Sequence, residues 1–98
     1  MIVVRNIFQL KFGKAKDAKA LVKENKDLMK KYGHTTSRFL TDLTGEFYTF
    51  VMETSYENLA AFEKSSQDAM EAKEFAQCYD KFVSLVKSGR REFFNLLE

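Results

Sequence analysis

Proline and tryptophan are absent from this sequence, and cysteine and histidine occur once each, as Cys78 and His34. One cysteine cannot close an intramolecular disulfide, and one cysteine with one histidine cannot build a Cys/His zinc cluster, so no structural metal is expected. Without proline, the joints between elements fall to the four glycines, Gly13, Gly33, Gly45 and Gly89. No apolar run is long enough to span a bilayer, which excludes a transmembrane helix. The opening MIVVRNIFQLKFGK has no basic segment ahead of its apolar residues and no small-residue cleavage site. A secretory signal is therefore not expected, and the cytoplasm is the expected location. There is no G-x-S-x-G elbow, phosphate loop or glycine-rich nucleotide fingerprint.

What the sequence does contain is enough for one small domain over residues 1–98, with a mass of 11.4 kDa. A folded monomer of that mass exposes roughly 5,800 Å² out of about 16,500 Å² for the open chain, so its core is thin. Hydrophobic residues make up 45%, ten of them Phe, against 31% charged, a balance that excludes intrinsic disorder.

Partial alternation over residues 2–12, with Val4, Asn6, Phe8, Leu10 and Phe12 on one parity, reads as a strand. Between Gly13 and Gly33, Ala15, Ala18, Leu21, Val22, Leu28, Met29 and Tyr32 recur at helical spacing among lysines, giving one amphipathic helix that stops at the second glycine. Residues 35–43 and 47–54 flank Thr44-Gly45-Glu46 as a hairpin. The second of these strands is apolar on both parities and asks for cover on both sides. Thr54 with Glu57 has capping-box spacing, which predicts a helix start near Ser55. Helical periodicity then runs to Lys87, and the polar Ser65-Ser66-Gln67-Asp68 predicts a break, with a short helix to about Lys64 and a longer one from Ala69. Gly89 then opens a last strand, RREFFNLLE.

The order β-α-β-β-α-β predicts an α+β, ferredoxin-like domain: a four-stranded antiparallel sheet with helices on one face. The bare face would still carry apolar side chains, and a homodimer through that sheet face is the simplest cover. This order, the extended second helical region and the ending SGRREFFNLLE resemble the dimeric α/β-barrel superfamily, which includes antibiotic-biosynthesis-monooxygenase-like and NIPSNAP-like proteins. The resemblance covers nearly the whole chain and implies two such subunits packed sheet to sheet into a barrel. It also implies a pocket between sheet and helices, in which members that oxidise aromatics or degrade haem use an Asn of the first strand. Asn6 stands at the resembling position. Thr54 stands where the family often has Trp, and Tyr79 where haem-degrading members place a ligand His, so haem held by histidine is not expected.

Asn6 and His34 are the candidate catalytic residues, and Phe8, Phe75, Tyr79 and Phe82 the candidate substrate-binding ones, with no metal and no cofactor. Asn6 would orient a ligand in an apolar pocket. His34, the only side chain with an unperturbed pKa near about 6.5, would accept a proton, and Tyr79 would hold a carbonyl or phenol oxygen. Each has a plainer reading: a satisfied buried amide, a histidine meeting a helix C-terminal dipole, a stripe aromatic. Cys78 reads as an inert small hydrophobe.

Net charge is only +2 but segregated: residues 11–31 hold eight Lys against three acids, residues 42–80 nine acids against two Lys. With no aromatics interleaved, the lysines read as a solvated face attracted to the acidic region rather than a nucleic-acid surface. IVVRNI and FYTFV partly resemble RNA-recognition motifs, but Glu46, Phe47 and Val3 stand where those domains carry a basic residue, a glycine and a stacking aromatic. No nucleic-acid partner is expected.

Two functions follow. One is binding of a small, apolar or aromatic organic molecule in the sheet-helix cleft, with metal-free oxygenation or isomerisation. The other is a non-catalytic homo-oligomeric assembly or stress-type protein whose cleft is filled by its own Phe side chains. A cavity of roughly 300 Å³ or more beside Asn6 favours the first.

Overall fold

In sheet order the strands run β2-β3-β1-β4, all neighbours antiparallel. The computed structural model describes residues 1–32 and 36–97. The strands are β1 (Ile2–Leu10), β2 (Arg38–Thr41), β3 (Thr49–Tyr56) and β4 (Val86–Asn95). Each helical region comes in two pieces, α1 (Ala15–Glu24) with α2 (Lys26–Lys31), and α3 (Leu59–Glu71) with α4 (Lys73–Val83). This is the ferredoxin-like arrangement, with the helices on one face. The core there joins Leu10 and Phe50 of the sheet to Ala18 of α1, with Phe8, Val22, Phe82 and Val86 packed against it.

Several boundaries differ from the sequence reading, some for local causes and some through partners distant in sequence. Asn25 splits the first helix because its side-chain amide donates to the Leu21 carbonyl at 2.8 Å, competing with the backbone ladder. The first hairpin strand is shorter than expected and the second is shifted by two residues: Gly45 takes φ +95° and Tyr48 φ 60°, so the turn consumes Phe47 and Tyr48. Thr54 is not a cap. It lies inside β3 opposite Val4, with its hydroxyl 2.7 Å from Ser37 Oγ. The cap is Asn58, in extended conformation, whose Oδ1 accepts from the Ala61 amide at 2.9 Å.

The break expected at residues 65–68 falls at Ala72 instead, whose extended backbone ends α3 and starts α4. Ser65 does not interrupt the helix; its hydroxyl donates to the Tyr32 carbonyl at 3.0 Å and ties α3 to the end of α2. The last strand begins at Val86, so Gly89 lies within it, opposite Phe8. A Cβ on Gly89 would sit 3.0 Å from Phe8 Cδ1, so the missing side chain lets the ring lie against the strand. The attraction expected between basic and acidic helices is not realised as ion pairs. Among the described residues, the lysines of α1 and α2 and the preceding turn make one, Lys14 with Asp17 at 3.6 Å.

The bare face of the sheet carries Val3, Ile7, Leu40, Val51 and Phe94, alternating with the helix-facing side chains. Leu40 and Phe94 are 43% and 44% exposed. Total exposed surface is 7002 Å², well above the roughly 5,800 Å² of a folded monomer of this mass. Part of the excess lies in the turns and at the C-terminal end, where Phe12, Leu43, Phe47 and Leu97 are the most exposed large apolar side chains.

Candidate functional site

The helices do not close down on the sheet along its whole length. Between β1, β3 and β4 on one side and α3 and α4 on the other runs a partly open cleft of about 970 Å³. It reaches the sheet because Val4, Asn6 and Phe8 of β1 share one parity, and Met52, Thr54 and Tyr56 of β3 share the matching one. α4 supplies the facing wall with Phe75, Tyr79 and Phe82. Phe8 and Phe82 meet edge to face at 4.9 Å and Phe82 also meets Phe50, so these rings gather at one end and leave the remainder open. Behind them a second space of about 90 Å³, lined by apolar residues including Leu21, Phe39, Phe50 and Cys78, is too small for more than a few heavy atoms.

The other end of the cleft is polar. Arg91 of β4 lies opposite Asn6 and donates through Nε to its Oδ1 at 2.8 Å. The guanidinium carbon is 5.3 Å from the centre of the Phe62 ring, a stacking distance. Beside it is Tyr56, whose phenol is pushed above its usual pKa by burial, with the Ser65 hydrogen bond and the Arg91 charge opposing. At neutral pH it is a protonated donor. Burial likewise pushes the Cys78 thiol up against the weaker pull of Lys81, which leaves it a poor nucleophile.

Asn6, Phe8, Phe75, Tyr79 and Phe82 therefore all line one cleft. His34 lies outside the described residues. Arg91 and Tyr56 were missed by sequence reasoning. The signal for Arg91 was its parity with Gly89 and Phe93, but it points at Asn6 only once β4 is paired antiparallel to β1 in this register. Among the described residues no group of three His, Cys, Asp or Glu is placed to hold a metal ion.

On the opposite face, Glu53 is covered by two guanidiniums rather than sunk in the core. Arg5 Nη2 lies 2.8 Å from Oε2, and Arg38 pairs with Oε1. The hydrogen bond from Arg38, then that from Arg5, hold its carboxyl below the usual value, outweighing the burial that would raise it. β1 and β3 present Val3, Ile7 and Val51 on this face, where an aromatic-stacking sheet would carry rings, and Phe94 of β4 has the Arg5 guanidinium 5.2 Å from its ring centre. No described helix is long and apolar enough to cross a membrane.

A family model described as NIPSNAP matches residues 5–98. A NIPSNAP family protein from Agrobacterium tumefaciens superposes with a TM-score of 0.90 at 14% identity, covering 99% of this chain and 86% of that one. An uncharacterized NIPSNAP domain protein from Burkholderia xenovorans gives 0.86 at 12%, covering 99% and 95%. An antibiotic biosynthesis monooxygenase gives 0.69 at 11%, with both chains covered in full. No curated protein matches the sequence. At these identities the structural likenesses speak for the fold alone.

Proposed function

The chain belongs to the NIPSNAP family, and we propose from the geometry that it binds a small, largely apolar organic molecule in the sheet-helix cleft. The observation that carries this is the volume beside Asn6, about 970 Å³, in a cleft that the Phe side chains only partly occupy. It weighs against the assembly reading, which needs the cleft filled. In this reading Phe8, Phe75, Tyr79 and Phe82 form the apolar bed and Asn6 orients the polar part of the ligand. His34, the chain's only imidazole, is the group assigned to accept a proton if the bound molecule is isomerised.

The working unit is a cytoplasmic homodimer joined through the bare sheet face. Support comes from the apolar residues there, Val3, Ile7, Leu40, Val51 and Phe94, of which Leu40 and Phe94 are exposed. The half-buried free thiol of Cys78 suits a reducing compartment.

Saturation-transfer NMR with 1-naphthol tests the binding. Transfer from the aromatic protons of the cleft is expected for the wild type and loss of it for Ser66→Phe, which places a ring among the lining residues. No transfer to the wild type, or equal transfer to both, overturns the reading.

A further inference from the structure

The polar end of the cleft has a chemical sign. Three of the four arginines have a carboxylate within ion-pair distance: Arg5 and Arg38 share Glu53, and Arg90 has Glu92. Arg91 has none among the described residues. It is nevertheless held in place, by its strand position opposite Asn6, by the 2.8 Å bond from Nε to Asn6 Oδ1, and by the Phe62 ring beneath it. Its Nη groups donate to no other described residue.

The same bond decides the orientation of the Asn6 amide. A guanidinium can only donate, so the oxygen of Asn6 faces Arg91 and its NH2 faces away, again with no described acceptor. The polar end thus presents unused donors and a positive charge. Around the whole cleft the positive charges are Lys87 and Arg91 against a single acid, Glu63, since Arg90 shares the bare-face parity of Ile7 and pairs with Glu92. The far end is apolar. A ligand that matches both ends has an apolar body and a head that accepts hydrogen bonds, donates none and is negative.

We infer that the cleft is built for an apolar molecule ending in a carboxylate, with the head on the Arg91 Nη groups and the Asn6 amide and the body along Phe8, Phe75, Tyr79 and Phe82. This rests on the proposal above that the cleft binds a small molecule. Arg91 is then the residue that sets head-group specificity, and Asn6 the one that positions it. The preference over a neutral head arises because a charge-assisted hydrogen bond is about twice as strong as a neutral one, and because a planar guanidinium can meet both oxygens of a carboxylate.

Isothermal titration of the protein with decanoate and with decan-1-ol, each below its aggregation limit, separates the two levels. The wild type is expected to bind decanoate about tenfold more tightly than the alcohol. In Arg91→Gln the ratio should fall to about one while the alcohol binds as before, which also shows that the variant is folded. Arg91→Lys, which keeps the charge and loses the Nε bond, should restore part of the preference. Equal affinity for the two ligands in the wild type, or a preference that survives in Arg91→Gln, overturns the carboxylate inference and leaves the binding cleft standing. If neither ligand binds, both fall.

Discussion

Arg91 reaches across from β4 to place Nε 2.8 Å from Asn6 Oδ1 on β1, a bond between residues 85 positions apart in sequence. Asn6 is thereby less a free amide awaiting a substrate than the support of a cation, and much of what the cleft offers follows from that.

Asn6→Ala should release the Arg91 side chain. Loss of one hydrogen bond to a charged group at an exposed position is expected to lower stability by no more than about 1 kcal/mol. Affinity for decanoate should fall with it, while affinity for decan-1-ol changes little. Chemical denaturation with parallel titrations checks this, and a variant that binds decanoate as the wild type does would remove Asn6 from the site.

Glu53 makes stability depend on pH in a definite direction. Its folded pKa lies below the ordinary 4.5, so its contribution is complete above that value and is lost as pH falls through the folded one. With Arg5 and Arg38 partly exposed, each pair is worth about 0.2–1 kcal/mol. Glu53→Gln should therefore lower the urea midpoint at pH 7 and flatten its decline below pH 4.5; an unchanged acid slope would place the sensitivity elsewhere.

The start of α3 offers a comparison of two nearby sites. Asn58→Ala removes the cap accepting from the Ala61 amide and should cost about 1 kcal/mol. Glu57→Ala, at an exposed position, should stay within about 0.5 kcal/mol of wild type. A larger loss at Glu57 than at Asn58 would restore the capping box read from the sequence.

A charge on the bare sheet face should separate the dimer. Val51→Glu, directly beside Ile7 and Leu40 in the register, is expected to shift the light-scattering mass from twice 11.4 kDa to that value. A wild-type monomer at tens of micromolar would overturn the dimer itself.

Gly89→Val places branched carbons where a Cβ alone would already lie 3.0 Å from the Phe8 ring. That ring is held against Phe82, so it cannot turn aside freely. A loss of about 1–3 kcal/mol is expected by thermal melting, and an unchanged melt would show that the strand yields instead.

The element order and the helix-facing parity of Val4, Asn6, Phe8 and Leu10 were legible in the sequence, because side-chain period is a local property of the chain. The same local pattern put Phe75, Tyr79 and Phe82 on one stripe of α4, and they do share the cleft wall. At two of the places where the reading failed, a partner distant in sequence had intervened. Thr54 looked like a cap until β1 paired with it, and Ser65 like a stop until its hydroxyl donated to the Tyr32 carbonyl.

The cleft itself belongs to the second kind. A pattern of apolar residues states which face of a helix seeks cover, but the distance at which α3 and α4 stand from the sheet depends on how Phe8, Phe50 and Phe82 interlock at one end. Nor could parity alone say whether Arg91 would meet a carboxylate, a carbonyl or solvent, since that turns on the register of β4 against β1. The sequence by itself determined the architecture, because hydrophobic period and turn chemistry act over a few residues. Only the tertiary structure decided that the pocket is open and that its polar end is a cation held by an amide, because both depend on contacts between strands and helices that the chain order keeps far apart.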